Sequence, residues 1–290
     1  MFMQATARKT KIFLDSGNPD ETNRIFKRLG FLDGQTTNPS LVAKNPEVIE
    51  RIQQGKTFSK AEITGLYKNI IEKVSSIIPK GSVSIEVYAD HNSSADDLLA
   101  EGREMFSWIP NAHIKYPITL AGLDAARRSV AEGMRVNMTL CFSQEQAAAV
   151  YTATKGAKPG DVFISPFVGR LDDQGMNGME IVRNIIKMYA YGDGHVQVLA
   201  ASVRSLAHLH QIFSLQTDIA TVPFAVLNSW ADGGMSTEQA VDVAIPANLR
   251  EISYREIDLN ADWQSYNIQH DLTDIGLKKF ADDWNHLLHH

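Results

Sequence analysis

Lys11-Ile12-Phe13-Leu14-Asp15, then Ser16-Gly17, then Asn18-Pro19-Asp20-Glu21: here the chain reads as strand, turn and helix start. The apolar run suits a buried strand. Asn18 is a natural helix N-cap, and Pro19 fits the first helical position, where no amide donor is needed. Asp20 and Glu21 sit where the helix dipole favours negative charge. Ile25, Phe26 and Leu29 form one apolar face, and Gly30 supplies the stop. A second strand pattern follows at 34–38. One strand–helix unit is thus closed, and the next begins.

The unit repeats along the chain. Further strand patterns lie at 82–87, 113–116, 135–140, 162–167, 196–200 and 219–222. Helical patterns separate them. Ser59-Lys60-Ala61-Glu62 is a capping box leading into Ile63, Leu66, Ile70, Val74 and Ile77 on one face. Ser143-Gln144-Glu145-Gln146 is another, closed by Gly156. Ile181, Ile185 and Met188 make a third apolar stripe. Eight strands, each followed by helix and without hairpin signals, predict parallel β/α units with right-handed crossovers. A closed (β/α)8 TIM barrel fits that count best. A doubly wound open sheet is the alternative, but it favours a glycine-rich first turn, which Asp15-Ser16-Gly17-Asn18 is not. No linker or composition break interrupts residues 1–290, so a single domain is expected, with the barrel at about 11–230. Residues 231–290 then form a C-terminal helical extension ending in a helix over 273–288, with Ile275, Phe280, Trp284 and Leu287 spaced for docking. The closing His289-His290 carries no weight in the fold.

Composition bounds the function. The chain has 290 residues, 44% hydrophobic and 21% charged, with 28 Lys+Arg against 34 Asp+Glu. Such a chain buries a large core and is not generally disordered. One cysteine, Cys141, excludes a disulfide scaffold. No run of about eighteen apolar residues predicts a spanning helix, and the first ten residues lack the apolar region of a secretory signal. A cytoplasmic protein with no membrane partner is expected. Net charge of −6 argues against a nucleic-acid partner.

A barrel of this kind carries its chemistry at the C-terminal ends of its strands. Asp15 ends the first strand; Thr36, Thr37 and Asn38 end the second. Glu86 is near the end of the third. Asn137 and Thr139 share one face of the fifth, as Ser165 and Phe167 do on the sixth. Lys115 is the sharpest signal, because it stands between Ile114 and Tyr116 inside an apolar strand. A buried ammonium is costly, which favours the free amine that Schiff-base chemistry on a ketone requires. A snorkelling lysine, or a buried ion pair with Asp15 or Glu86, reads the same way. The two carboxylates suit the proton transfers of imine formation and aldol cleavage, though each also suits a helix cap or structural ion pair. Arg170 and Arg204 follow strands six and seven, where barrels often bind phosphate; a surface charge is the plainer alternative.

Five segments, in order, resemble the successive motifs of transaldolases: Gln35-Thr36-Thr37-Asn38-Pro39-Ser40-Leu41, Ile114-Lys115, Asn137-Met138-Thr139-Leu140, Ile164-Ser165-Pro166-Phe167-Val168-Gly169-Arg170 and Ala201-Ser202-Val203-Arg204. The resemblance spans about 11–223 and resumes at 272–282. It implies a class I barrel enzyme without metal or other cofactor, acting on sugar phosphates and, from the family, a homodimer. Lys115 becomes the Schiff-base lysine. Asp15 handles the proton of the hydroxyl whose carbon–carbon bond breaks or forms. Glu86, with Thr139 and a water, manages the carbinolamine and imine steps, and Thr119 helps hold that water. Asn38 and Asn137 hold the dihydroxyacetone hydroxyls, with Ser165 and Phe167 lining the donor site. Arg170, Ser202 and Arg204 take the phosphate. The implied reaction moves dihydroxyacetone from fructose 6-phosphate or sedoheptulose 7-phosphate to an aldose phosphate, as in the non-oxidative pentose phosphate pathway.

A fructose 6-phosphate aldolase-like lyase is the near relative. In that branch a Gln tends to replace the strand-three Glu and a Tyr the strand-six Phe, so Glu86 and Phe167 favour the transferase. Tyr116-Pro117-Ile118 and Cys141 depart from the family pattern, and residues 228–270 align with none of its motifs, which keeps a modified sugar as an alternative substrate. The nine histidines show no ligand spacing; His208 and His210 sit two apart on a helix and face different ways. Cys141 reads as a small buried hydrophobe, Gly192-Asp193-Gly194 as a turn, and Asp282-Asp283 as a solvated helix face.

Overall fold

A computed structural model describes residues 8–237 and 248–288; the first seven residues and His289-His290 lie outside it. Eight strands close into one parallel barrel in sequence order: β1 (Lys11–Asp15), β2 (Gly34–Thr36), β3 (Ser82–Glu86), β4 (Ala112–Pro117), β5 (Val136–Cys141), β6 (Val162–Pro166), β7 (Val196–Ala200) and β8 (Ile219–Pro223). The seam is β8 on β1, with Phe13 opposite Thr221. Helices α1 (Pro19–Leu29), α2 (Pro39–Val42), α3 (Pro46–Gln53), α4 (Lys60–Ile77), α5 (Ala95–Phe106), α6 (Leu120–Ala131), α7 (Gln144–Ala153), α8 (Val168–Asp172), α9 (Gly178–Tyr189) and α10 (Leu206–Ser214) fill the crossovers, and α11 (Phe224–Asp232) follows β8. The final helix is α12 (Asp271–Asn285). No helix among the described residues is long and apolar enough to cross a membrane.

The helix boundaries follow the sequence signals. Asn18 caps α1 by accepting from the Asp20 amide, and Gly30 ends it at φ 77°. Both capping boxes form, at Ser59 with Glu62 and at Ser143 with Gln146. The second strand is shorter than its pattern. It stops at Thr36 because Asn38 turns out of the ladder and accepts from the Leu41 amide, starting α2 with Pro39 in its first turn. The short helices α2, α3 and α8 carry too few apolar repeats to register as periodic patterns.

Side chains alternate in and out along each strand, and the inward set is stratified. Phe13, His113 and Phe163 fill the lower barrel. His113 stacks on Phe163 at 4.1 Å between ring centres, and Phe13 meets Phe163 edge-on at 6.0 Å. Gly34 makes room for this layer, since a Cβ there would lie 2.6 Å from the Phe13 ring. One residue pair higher, Asp15 pairs with Thr36, and Glu86, Lys115 and Asn137 stand in consecutive register. Thus an apolar floor supports a polar layer facing the C-terminal mouth. The β5–β6 register shifts between Met138 and Cys141, where Leu140 takes φ 61°. The Leu140 carbonyl then accepts from Thr273 Oγ1 at 3.0 Å, which pins α12 across the mouth.

His113 makes the floor sensitive to acid. Its Nε2–H donates to the Gly160 carbonyl at 3.0 Å, and its Nδ1 accepts from the Ser82 hydroxyl at 2.8 Å, the tautomer that satisfies both. Burial pushes the ring down to about 3 from its ordinary 6.5. The neutral ring therefore contributes stability above pH ~6.5 that is lost as pH falls towards 3, at up to about 1.4 kcal/mol per pH unit. Urea unfolding of wild type between pH 7 and 4 should fall more steeply than that of His113→Gln. Parallel slopes would mean that another group sets the acid limit.

Candidate active site

Above the floor lies a cavity of about 210 Å³ lined by Asp15, Asn38, Lys115, Thr139, Ser165, Phe167, Arg170 and Ser202, among others. Strand ends supply most of this wall, and α12 supplies Lys279 and Phe280. Lys115 and Glu86 are each 4% exposed, with Nζ 2.7 Å from Glu86 Oε2. Among the described residues no other donor reaches Oε2. Lys115 Nζ also donates to the Thr37 carbonyl at 2.9 Å. Burial raises the Glu86 carboxyl, opposed by the nearby Lys115 charge and, more weakly, by Arg170. Removing two charges from water costs several kcal/mol per ion, so such a pair is a poor device for stability alone.

Asp15 stands on the other side. Burial raises its carboxyl too; Lys115, a hydrogen bond from Thr36 and the charge of Lys44 oppose the rise. It keeps a small edge open to the cavity while protein surrounds the rest. Thr36 Oγ1 donates to Asp15 Oδ1 at 2.7 Å and lies 2.5 Å from Thr221 Oγ1. Ser165 Oγ donates to Asn137 Oδ1 at 2.7 Å, and Asn137 Nδ2 donates to Ser84 Oγ at 3.1 Å. Thr139 Oγ1 is buried with no hydrogen-bond partner among the described residues. An orphaned hydroxyl is expensive in a core and reasonable where a ligand or water docks.

Two carboxylates, a buried amine and an unpaired hydroxyl at strand ends suit proton transfer around a covalent amine adduct. Among the described residues, no group of three or more His, Cys, Asp or Glu side chains is arranged to hold a metal. Cys141 is buried, and its thiol is pushed up to about 12, which leaves it inert as a nucleophile. A larger cleft of about 550 Å³, lined partly by Lys60, Asp90 and Glu101, shares no residue with the strand-end cavity. Chemistry, not volume, selects between them.

Residues 12–290 match the transaldolase/fructose-6-phosphate aldolase family. The chain belongs to that family. Three relatives show the extent of the likeness, each named a probable transaldolase. That of Dehalococcoides mccartyi is 34% identical over 274 residues, covering 94% of this chain and 97% of its own. That of a Roseiflexus species is also 34% identical over 274 residues, covering 94% and 96%. That of Parabacteroides distasonis is 38% identical over 232 residues, covering 78% and 95%. The chain is therefore an enzyme of the transaldolase type.

Seen as a transaldolase-family site, the cavity gathers eight of the twelve residues given a role in sequence. Glu86 and Asn137 stand immediately behind it, touching Lys115 and Ser165. Arg204 is not among the residues that line the cavity. Its guanidinium makes a two-pronged ion pair with Asp173, with Nη2–Oδ2 at 2.6 Å, and its side chain is 47% exposed. Thr119 also lies outside this lining; its hydroxyl accepts from the Gly122 amide as the cap of α6 and keeps its own O–H free to donate. Arg170 remains in the cavity, its guanidinium over the Phe167 ring at 5.2 Å and the Phe280 ring at 5.3 Å. Gly276 of α12 lets this arginine pass; a Cβ there would lie 2.5 Å from Arg170 Nη1.

Sequence reasoning missed Lys44 and Lys279 as cavity cations, and Ser40 and Thr221 as polar lining; Thr36, noted there as a polar strand end, does line the cavity. Lys44 stands six residues beyond Asn38, and only the short helix α2 folds it back over Asp15. Asp283 is not merely solvated: it binds Lys279 on its own helix and Ser40 of α2, tying α12 to α2.

Proposed function

We propose that this enzyme is a transaldolase that works through a Schiff base on Lys115. The observation that carries the reading is the buried Lys115 amine, 2.7 Å from Glu86, in a cavity that also presents Asp15. Glu86 accepts a proton from Lys115, freeing the amine to attack the C2 carbonyl of fructose 6-phosphate or sedoheptulose 7-phosphate. The carbinolamine then loses water. Glu86, 2.7 Å from the amine, and the unpaired Thr139 hydroxyl suit that exchange. The protonated imine draws electrons as the C3–C4 bond breaks, while Asp15 takes the C4 hydroxyl proton. An aldose phosphate leaves, and a three-carbon enamine stays on the lysine. An acceptor aldehyde, erythrose 4-phosphate or glyceraldehyde 3-phosphate, reverses these steps. Asn38 and the Asn137–Ser165 pair suit the hydroxyls of the retained unit. Arg170 and Ser202 suit the phosphate, with Lys44 and Lys279 adding positive charge at the mouth. The reaction belongs to the non-oxidative pentose phosphate type.

The transferase and the aldolase differ in the fate of the enamine. With fructose 6-phosphate alone, free dihydroxyacetone should appear at under about one hundredth of the rate of product formation with erythrose 4-phosphate present, on the scale of a lost specific interaction. Dihydroxyacetone released at a comparable rate without acceptor would sink the transferase reading and leave a lyase.

A further inference from the structure

Tyr67, on α4, is placed to hold the reactive lysine from behind. A continued β2–β3 ladder with Thr37 opposite Ile85 requires two bonds: Thr37 N–H to the Ser84 carbonyl, and Glu86 N–H to the Thr37 carbonyl. The first is present at 3.1 Å. The second is replaced, because the Glu86 amide donates to Tyr67 Oη at 3.0 Å. The Thr37 carbonyl, released from the ladder, accepts from Lys115 Nζ at 2.9 Å. Tyr67 Oη lies 2.6 Å from Thr37 Oγ1, and that hydroxyl donates onward to the Ser84 carbonyl at 2.9 Å. One phenol thus meets the backbone of Glu86 and the side chain of Thr37, the two residues that contact the Lys115 amine.

The ring is held as firmly as the hydroxyl. Tyr67 is buried, with Trp108 and Trp284 each edge-on at 5.9 Å. Trp284 belongs to α12, so the C-terminal helix braces the far side of the same residue. We propose that Tyr67 is a positioning residue for Lys115. It takes the Glu86 amide so that the Thr37 carbonyl is free to orient the lysine amine. The proposal rests on Lys115 as the Schiff-base nucleophile.

Tyr67→Phe removes the hydroxyl and keeps the ring between its tryptophans. The expected result is a fall in kcat of about tenfold with KM within about twofold, since small misplacements of a reacting group cost factors of this size. Formation of the borohydride-trappable Lys115 adduct should slow by the same factor. Thr37→Val cuts the link from its other end and should lose a similar factor. The double variant should be no slower than the slower single variant. A Tyr67→Phe enzyme with wild-type kcat, or losses that multiply in the double variant, would overturn the proposal. Should Tyr67→Phe fail to fold, Thr37→Val decides alone, and wild-type turnover in it overturns the proposal. Absence of any adduct in the wild-type protein overturns the lysine reading and this proposal together. A wild-type adduct with unchanged kinetics in the variants overturns this proposal alone.

Discussion

Lys115→Met should abolish carbon transfer, with loss of roughly 10⁴-fold or more, the scale seen when a covalent nucleophile is removed. The variant should still fold. Deleting one partner of a buried ion pair leaves the other charge uncompensated, which costs about 3–5 kcal/mol if that charge persists. Burial already raises the Glu86 carboxyl against the pull of Lys115, so without the lysine it rises further and takes up a proton. A carboxyl raised above its unfolded value contributes stability at low pH and loses it as pH climbs through the raised value. Relative to wild type, Lys115→Met should therefore be more stable at pH 6 than at pH 8 in urea titrations. Turnover within about tenfold of wild type would remove Lys115 from the chemistry.

Asp15→Asn should separate two steps that Lys115→Met loses together. Asparagine keeps the shape and can still accept from the Thr36 hydroxyl, which lies 2.7 Å from Asp15 Oδ1. It cannot take a proton. Cleavage should slow by about 10²–10⁴-fold, the range for loss of a general base. Imine formation relies on the Glu86 side of the lysine and should persist. Borohydride reduction of Asp15→Asn with fructose 6-phosphate should then trap the intact six-carbon donor, distinguishable from a three-carbon unit by mass. Cleavage at the wild-type rate would relieve Asp15 of this role.

Much of this was legible because each strand and helix obeys local rules. β1 and β7 fall where their apolar runs predict, and α1 starts and stops at Asn18 and Gly30. The polar strand ends that drew notice in sequence converge because parallel register stacks them: Glu86, Lys115 and Asn137 are neighbours across three strands. What stayed hidden depends on tertiary partners. Nothing in the spacing of Arg204 announces that Asp173 claims its guanidinium. Thr119 also caps α6, a role that the motif resemblance did not show. Lys44 and Lys279 enter the cavity only through the turn after Asn38 and the docking of α12, neither of which strand periodicity encodes. Tyr67 reads as one more apolar position of an amphipathic helix, and its hydroxyl matters only because β2 ends early.

The most direct measurement is to incubate the wild-type protein with fructose 6-phosphate, reduce with borohydride, and map the modified residue by mass spectrometry. A three-carbon adduct on Lys115 is the expected result. An adduct on another lysine, or none from folded protein beside a working control enzyme, would contradict the assignment of Lys115 as the residue that carries the transferred carbons.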